Sequence, residues 1–591
     1  MELPFDETHL NGHLDEMVAE SRRALKDLDK DKEWDENMRF YRGRQWQDRL
    51  PSHRIAFVAN YTKTSVKRLV ALMTDTKPTF DAHTSLPGLS PMVQEVLTPA
   101  LRANWDEQNY DQKMITGILP MAIIMGSAVG NSCFNPSLDD GRGDIDLGVI
   151  DPRSFIVDPT IVRAADIDEA DYAGYQTVAS LPKIWHLFPR RGREVEVSAT
   201  ASRFLERSGA SSGFDSPGHR ILSRASQTGV VQSFAIKRAP IQEFFVTDHR
   251  LVKELPMAMQ EQAFGKGLTG EDEAWPGGRR IIRAGYNKII LSDGANPYID
   301  RRKPYVMFDW GLEVEHPWGD SEVTLIKSLQ AILNKLSSAI TENAIKMNNN
   351  IWIGDKDALE KHEWNMLNDA PGLLVKLKQG RTLRRESPPA LPGSVFQMLQ
   401  WIVTVIDTLT GLVDATQGRR PVGIVSSNAI EALNLSAQVL VRLQTKKFES
   451  FLQRLGLRMI ARIFQFYTAD RLMHLVGPSG KLTEFHFKRE QLIGGKITLP
   501  DGTTRDFDVY SDLRDLTFRV TPGSSMAVTR QQKGQMAMAL AQAGYIPREE
   551  VLKALEWDNP EELTQKAMAE QLAAQRAGAQ SEPQKRMRVA A

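Results

Sequence analysis

Gly477-Pro478-Ser479-Gly480-Lys481 brings glycines and a lysine together in the manner of a phosphate-binding loop. Only two residues separate the glycines, and Leu482 stands at the Ser/Thr position. Too few backbone N–H groups are present to wrap a phosphate, so a turn is the simpler reading. Gly209-Ala210-Ser211-Ser212-Gly213 matches the Gly-x-Ser-x-Gly pattern of serine hydrolases. A nucleophile elbow needs an apolar strand before it and a helix after it, and both flanks here are polar. His9 and His13 lie four apart with Asp6 and Asp15 nearby, a spacing that can chelate a metal. No further His or Cys cluster completes such a site, which leaves a solvated helix end. Cys133 is the single cysteine; it excludes an intramolecular disulfide and a thiolate zinc cluster and fits a reducing cytoplasm. Beside Phe134 it reads as a small buried hydrophobe. No His-Glu-x-x-His occurs, and no Gly-x-Gly-x-x-Gly opens a βαβ unit. Scattered carboxylates on helix faces pair ordinarily with Lys or Arg. No catalytic residue, cofactor or metal site is therefore assigned, and the chain is read as a non-enzyme.

The elements around these residues are mixed. Residues 6–50 read as helices starting at the cap-like Asp6, and 58–80 as a helix with Val66, Leu69, Val70 and Met73 on one face that stops at Lys77-Pro78. Residues 90–129 read as further helices. Strand-like pieces follow from about 142: DIDLGVI, DPRSFIVDP, QSFAIKRA, QEFFVTDHRLV, RIIRAGYNKIIL and PYVMFDW. The Ser-, Gly- and Arg-rich 198–227 is read as a mobile surface insertion. Residues 321–347 carry Leu325, Leu329, Ile332, Leu333, Leu336, Ile340 and Ala344 at helical spacing, with Ser321 as a candidate cap. That helix would run about 40 Å, and a second over 393–415 about 34 Å. Between them, 348–392 holds short strands and turns. A helix over 428–470 follows, with Gly456 as a candidate weak point. Strands resume after Asp470, with a turn at Pro500-Asp501-Gly502. Residues 527–575 read as helices and 576–591 as a disordered tail. The class is α+β.

Charge narrows the function. At 591 residues the chain can bury large cores, and its 74 Lys and Arg balance 74 Asp and Glu. A zero net charge excludes a protein that coats nucleic acid over its whole surface, and leaves room for local basic patches. Two such patches occur. Between the helices, Thr416 to Ala429 contains no acidic residue, and holds Arg419 and Arg420 with Ser426 and Ser427 among glycines. In 348–392, Lys376, Lys378, Arg381, Arg384 and Arg385 are opposed mainly by Glu386, near Trp352, Trp364 and Pro388-Pro389. The N-terminus has no apolar core behind a basic start, and the apolar 117–130 is too short to span a bilayer, so a soluble protein with no membrane partner is expected.

The order of these features resembles the portal proteins of tailed bacteriophages. The quoted marks are FYRGRQW, then VANYTKTSVKRLVALMTDTKPTF; VIDPRSFIVDPT; HPWGDSEVTLIKSLQAILNKL; and LTGLVDATQGRRPVGIVSSNAIEAL, spread over residues 40–450. The resemblance implies a homo-oligomeric ring, usually a dodecamer, at one capsid vertex of the virion, with double-stranded DNA passing through its channel without sequence readout. It implies stem helices at 321–347 and 393–415, a clip at 348–392, a tunnel loop at 416–428, a wing from 1–320 and 429–526, and a crown at 527–575. Arg419, Arg420, Ser426 and Ser427 would line the channel. Trp352, Trp364 and the basic run would form a docking face for the terminase large subunit and later the tail adaptor protein. Major capsid and scaffolding proteins would surround the ring, which would assemble in the host cytoplasm. ATP hydrolysis would belong to the terminase. The alternatives are a shorter virion connector ring or an unrecognised multidomain enzyme.

Overall fold

The computed structural model describes residues 6–46, 51, 54–74, 80–84, 93–196, 238–265, 267–348, 351–355, 358–359, 364, 367, 375–386, 391–411, 439–476, 482–488, 496–498, 504–506, 516–520, 537–538 and 540–541. The Gly-x-Ser-x-Gly segment, the Gly477–Lys481 turn, the 198–227 insertion, the Pro500-Asp501-Gly502 turn and nearly all of 527–591 lie outside them.

Helix α1 (Glu7–Asp27) begins where the Asp6 carboxylate accepts the amides of Thr8 and His9, both at 3.2 Å. His9 lies 2.9 Å from Asp6 and His13 3.8 Å from Glu16, so each exposed imidazole is turned to its own carboxylate. The buried side chains of α1 recur every three or four residues, at Leu10, Leu14, Met17, Ser21 and Leu25. The first three pack on a sheet face formed by Ile156, Tyr172, Phe244, Val246, Ile281 and Ile290. That sheet is antiparallel, in the order β4 (Phe155–Val157), β5 (Tyr172–Ser180), β6 (Arg238–Val246), β7 (Arg279–Ala284), β8 (Ile289–Ala295). A second antiparallel sheet orders β3 (Asp144–Ile150), β2 (Ser127–Asn135) and β9 (Tyr305–Asp309). Helices with mainly antiparallel strands make the α+β class expected from the sequence.

Helices α2 (Lys30–Tyr41), α3 (Tyr61–Met73), α4 (Thr98–Glu107) and α5 (Leu119–Met125) pack around the main core. Two sequence-based boundaries move. The helix expected over 58–80 runs only from Tyr61 to Met73, because Asn60 caps it by accepting the Lys63 amide at 3.0 Å. The helices expected to 129 stop at Met125. Gly126 takes a φ of +83°, a left-handed turn that L side chains disfavour, and β2 starts at the next residue. Space demands glycine there as well: a Cβ would stand 2.0 Å from the carbonyl oxygen of Gly319.

Helix α6 (Glu322–Asn348) starts against this joint. The Ser321 hydroxyl accepts the Val323 amide at 3.0 Å and donates to the Ile124 carbonyl at 2.6 Å, so one side chain caps α6 and ties it to the end of α5. Helix α7 (Gly393–Leu409) packs on α6 through Ile402 and Ile406 against Ile326 and Leu333. It ends six residues before the expected 415. The amides of Thr410 and Gly411 close the last turn at the carbonyls of Ile406 and Thr408, and Gly411 takes a φ of +67°. At about 26 Å it is shorter than α6, not comparable in length.

Helix α8 (Val439–Phe466) crosses the core without interruption at Gly456. Strand β16 (Leu516–Val520) pairs with β1 (Phe80–Thr84), and its Phe518 ring would meet a Cβ on Gly456 at 2.3 Å. This glycine gives close approach, not a weak point. Further down, Arg458 of α8 is fully buried and donates to both oxygens of Asp168 at 2.8 and 3.0 Å. Arg462 lies 2.8 Å from Asp300 with its guanidinium 3.6 Å from the Tyr298 ring centroid. Buried Asp144 accepts from Asn104 at 2.9 Å, Gln108 at 2.6 Å, Tyr467 at 2.6 Å and its neighbour's amide at 2.7 Å. Cys133 sits in β2, where burial, with Asp146 nearby, pushes its thiol up to about 12 and leaves it unreactive.

Gly456→Ala should lower stability by about 1–3 kcal/mol through overpacking, despite alanine's higher helix propensity. Adding Phe518→Leu should recover part of the loss. Thermal unfolding of the single and double variants checks this; a stabilised single variant would refute the close-approach role.

Candidate functional site

The α6–α7 hairpin carries the residues that the sequence assigns to a stem, and one side of it is built on an extended segment, residues 54–60. Among the described residues no strand pairs with that segment, so its amides need other partners. Helix α6 supplies them from positions four apart. The amide of Ile55 donates to Glu342 Oε1 at 3.0 Å, that of Phe57 to Ser338 Oγ at 3.1 Å, and that of Ala59 to Asn334 Oδ1 at 3.2 Å. Gln330 Oε1 accepts from the Thr62 amide at 3.1 Å, and its Nε2 donates to the Ala59 carbonyl at 2.7 Å. Four helical residues rise about 6.0 Å and two extended residues about 6.6 Å, so the two repeats run nearly in step. We call residues 54–60 the strap.

Sequence marks shared with the portal family cluster at its joints. In FYRGRQW, buried Gln45 donates to Asn60 Oδ1 at 3.1 Å and accepts from Asn334 Nδ2 at 2.5 Å. Trp46 Nε1 donates to the Phe57 carbonyl at 3.1 Å. In WGDSE, Trp318 stands edge-on to Trp34 at 5.2 Å, while Glu322 accepts the indole N–H of Trp310 at 3.0 Å. In DPR, Arg153 forks onto Asp151 at 3.0 and 2.6 Å and reaches Asp35 of α2 at 3.1 Å. These motifs tie α6 and the 151–153 turn to the strap and α2.

The apolar stripe expected on α6 divides. Ile326 and Leu333 are buried against α7, and Leu329 and Leu336 pack beside them. Leu325 and Ile332 instead face solvent, as do Met398, Trp401 (59% exposed) and Leu409 on α7. On α7, Gln397, Gln400 and Thr404 are exposed. The hydroxyls of Thr404 and Thr408 are turned back onto the carbonyls of Gln400 and Thr404, at 3.1 and 2.8 Å. Asp407 departs from that face; it lies 3.5 Å from Arg68 of α3.

At the far end of the stem, β10 (Ile351–Gly354) pairs antiparallel with β11 (Leu383–Glu386), placing Trp352 opposite Arg385 and Ile353 opposite Arg384. Asp355 accepts the Thr382 amide at 3.0 Å, which holds its carboxyl below the usual range. Half-buried Trp364 packs toward Gly354, where a Cβ would come within 3.2 Å of the indole. Trp364 is thus part of the packing of this small unit. Lys376, Lys378, Arg381 and Arg384 are all exposed, and Arg384 lies 3.6 Å from Glu386. Val375–Lys378 forms no strand. Arg419, Arg420, Ser426 and Ser427 lie outside the described residues.

Among the described residues, no three or more His, Cys, Asp or Glu side chains gather as metal ligands, and no helix is long and apolar enough to cross a membrane. A small cleft lined by Asp168, Thr247, His249, Trp275 and Lys303 has its lysine already donating to the carbonyls of Asp168 and Ala170, at 3.0 and 2.7 Å.

Asn334 joins the strap to both Gln330 and Gln45. Asn334→Leu should cost about 2–4 kcal/mol, because it strands the Ala59 amide and Gln45 Oε1 in a buried setting and leaves Gln330 Nε2 with the Ala59 carbonyl alone. The exposed neighbour Lys335→Leu should change stability by no more than about 0.5 kcal/mol. Comparing their thermal midpoints is the measurement, and equal shifts would count against the strap as a structural tie.

No curated protein matches the chain. A family model described as phage P22-like portal protein matches residues 21–591, nearly the whole chain. The stem, its joints and the small tip module therefore belong to a structural component of the phage capsid, and the chain is a member of the phage P22-like portal protein family.

Proposed function

We propose that the chain assembles into a closed ring, of twelve copies, whose central channel passes double-stranded DNA at one capsid vertex. The single observation that carries this beyond family membership is the bare apolar side of the stem. A hairpin whose two helices both leave large apolar side chains in water is incomplete as a monomer. Closed cyclic symmetry covers such surfaces without leaving open ends. The wall facing the channel is neutral: Gln397, Gln400 and Thr404 carry no charge to grip passing phosphates.

In this reading 348–392 is the clip, which docks the terminase large subunit during packaging and a tail adaptor afterwards. Its exposed lysines and arginines suit an acidic patch on those partners or the DNA itself. Residues 416–428 form the tunnel loop, and Arg419 and Arg420 touch phosphates without reading sequence. Capsid and scaffolding proteins surround the wing during assembly in the host cytoplasm. The protein has no catalysis of its own, and the terminase hydrolyses ATP.

End-on images of the purified protein should show rings with a pore wide enough for a DNA duplex. A population of compact monomers or dimers, with no pore, would overturn the proposal.

Two sets of substitutions separate the roles within the ring. Lys376→Glu, Lys378→Glu and Arg384→Glu together should weaken terminase binding, in a salt-dependent manner, while ring mass is unchanged. Arg419→Ala with Arg420→Ala should leave rings intact and alter packaged genome length. Loss of rings in the second set would make those arginines interface residues.

A further inference from the structure

The bare side of the stem has a definite direction. On α6, Leu325 and Ile332 are 140° or more around the helix from Gln330, on the opposite side from the ladder that grips the strap. On α7, Met398 and Leu409 are likewise about 160–180° around from Asp407, which faces Arg68 of α3. Both helices therefore keep one side against the strap and α3, and leave apolar residues on the other. The strap side is not bare of apolar groups. Phe57 is 41% exposed on the strap, and Phe396, 50% exposed, lies three turns from Asp407 on the same side of α7.

We propose that the bare side of the α6–α7 hairpin is a subunit interface, and that its occupant is the strap side of the same hairpin in the next copy of this chain. This rests on the ring reading above and adds which surfaces meet. The two surfaces lie on opposite sides of one hairpin, so pairing them repeats head to tail, as a ring requires; a two-fold dimer would pair like with like. Their chemistry matches. Leu325, Ile332, Met398, Trp401 and Leu409 are uncharged, and the strap from Ile55 to Asn60 contains no ionisable residue. Their lengths match too: Met398 to Leu409 spans about 16 Å of helix, and the strap about 17–20 Å of extended chain. The amides of Ile55, Phe57 and Ala59 are already bonded to α6, so that edge of the strap is closed to a partner. Exposed Trp401 is the anchor expected at the middle of such a contact.

The test is a disulfide. In a Cys133→Ser background, Phe57→Cys combined with Met398→Cys, or with Trp401→Cys, should give on mild oxidation a ladder of covalent oligomers extending to the full ring. Each single-cysteine chain should give none. Covalent dimers alone would mean a like-with-like contact and overturn the proposal. Rings in the images with no ladder from either pair would place the interface elsewhere and leave the ring reading standing. Absence of rings from the unmodified chain would remove both. Trp401→Glu gives a second readout: it should keep the monomer's circular dichroism and abolish rings. Rings of unchanged mass from that variant would overturn the proposal.

Discussion

An extended stretch of backbone with no strand beside it must still find a partner for every buried amide, and here one helix provides them. The ladder of Gln330, Asn334, Ser338 and Glu342 fixes the height and rotation of α6 against residues 54–62. The rest of the stem follows. The turn after α2 delivers Gln45 and Trp46 to the strap, Asn60 turns the strap into α3, and Arg68 of α3 reaches Asp407 of α7. The stretch from Gln45 to Arg68 is thereby a brace for a helical hairpin that begins some 260 residues later.

The core around α8 is braced by buried charge. Arg454, Arg458 and Arg462 are four residues apart on α8, and each reaches a different part of the chain: the Ala164 carbonyl, Asp168 and Asp300. Taking such charges out of water costs several kcal/mol each, so they persist only with close partners. Lys303 completes the set by donating to carbonyls from 168 and 170, while its own carbonyl accepts from Arg458. An apolar helix of the same volume could slide over its neighbours; the forked bond of Arg458 onto Asp168 prevents that. Directional bonds thus set position in both the stem and the core around α8, while apolar packing supplies the bulk of the stability.

Local signals in the sequence were readable where the partner lies nearby. Asp6 and Ser321 act as caps, Leu383–Glu386 forms a strand, and the α+β class stands. Thr410-Gly411 was an available stop signal, since a glycine after an apolar helical run favours the left-handed cap that ends α7. The strap was read partly as helix because its amides are satisfied by residues 268 to 287 positions away, which no local pattern records. Gly456 looked like a hinge for the same reason: Phe518, which requires it, belongs to a strand far along the chain. Leu325 and Ile332 share the helical period of the core residues. Periodicity marks a helix as amphipathic without saying whether a second apolar side awaits another surface.

The ladder's side chains also record how the strap crosses α6. An extended repeat outruns a helical one by about 0.6 Å per rung, a drift that side-chain length can take up. The residues follow that vernier: short Ser338 and Asn334 serve the middle, and longer Gln330 and Glu342 reach out at the ends. The Gln330 rung takes its amide from Thr62, already in α3, and one turn beyond it stands Ile326, which cannot accept an amide. The ladder stops where the strap has given way to helix.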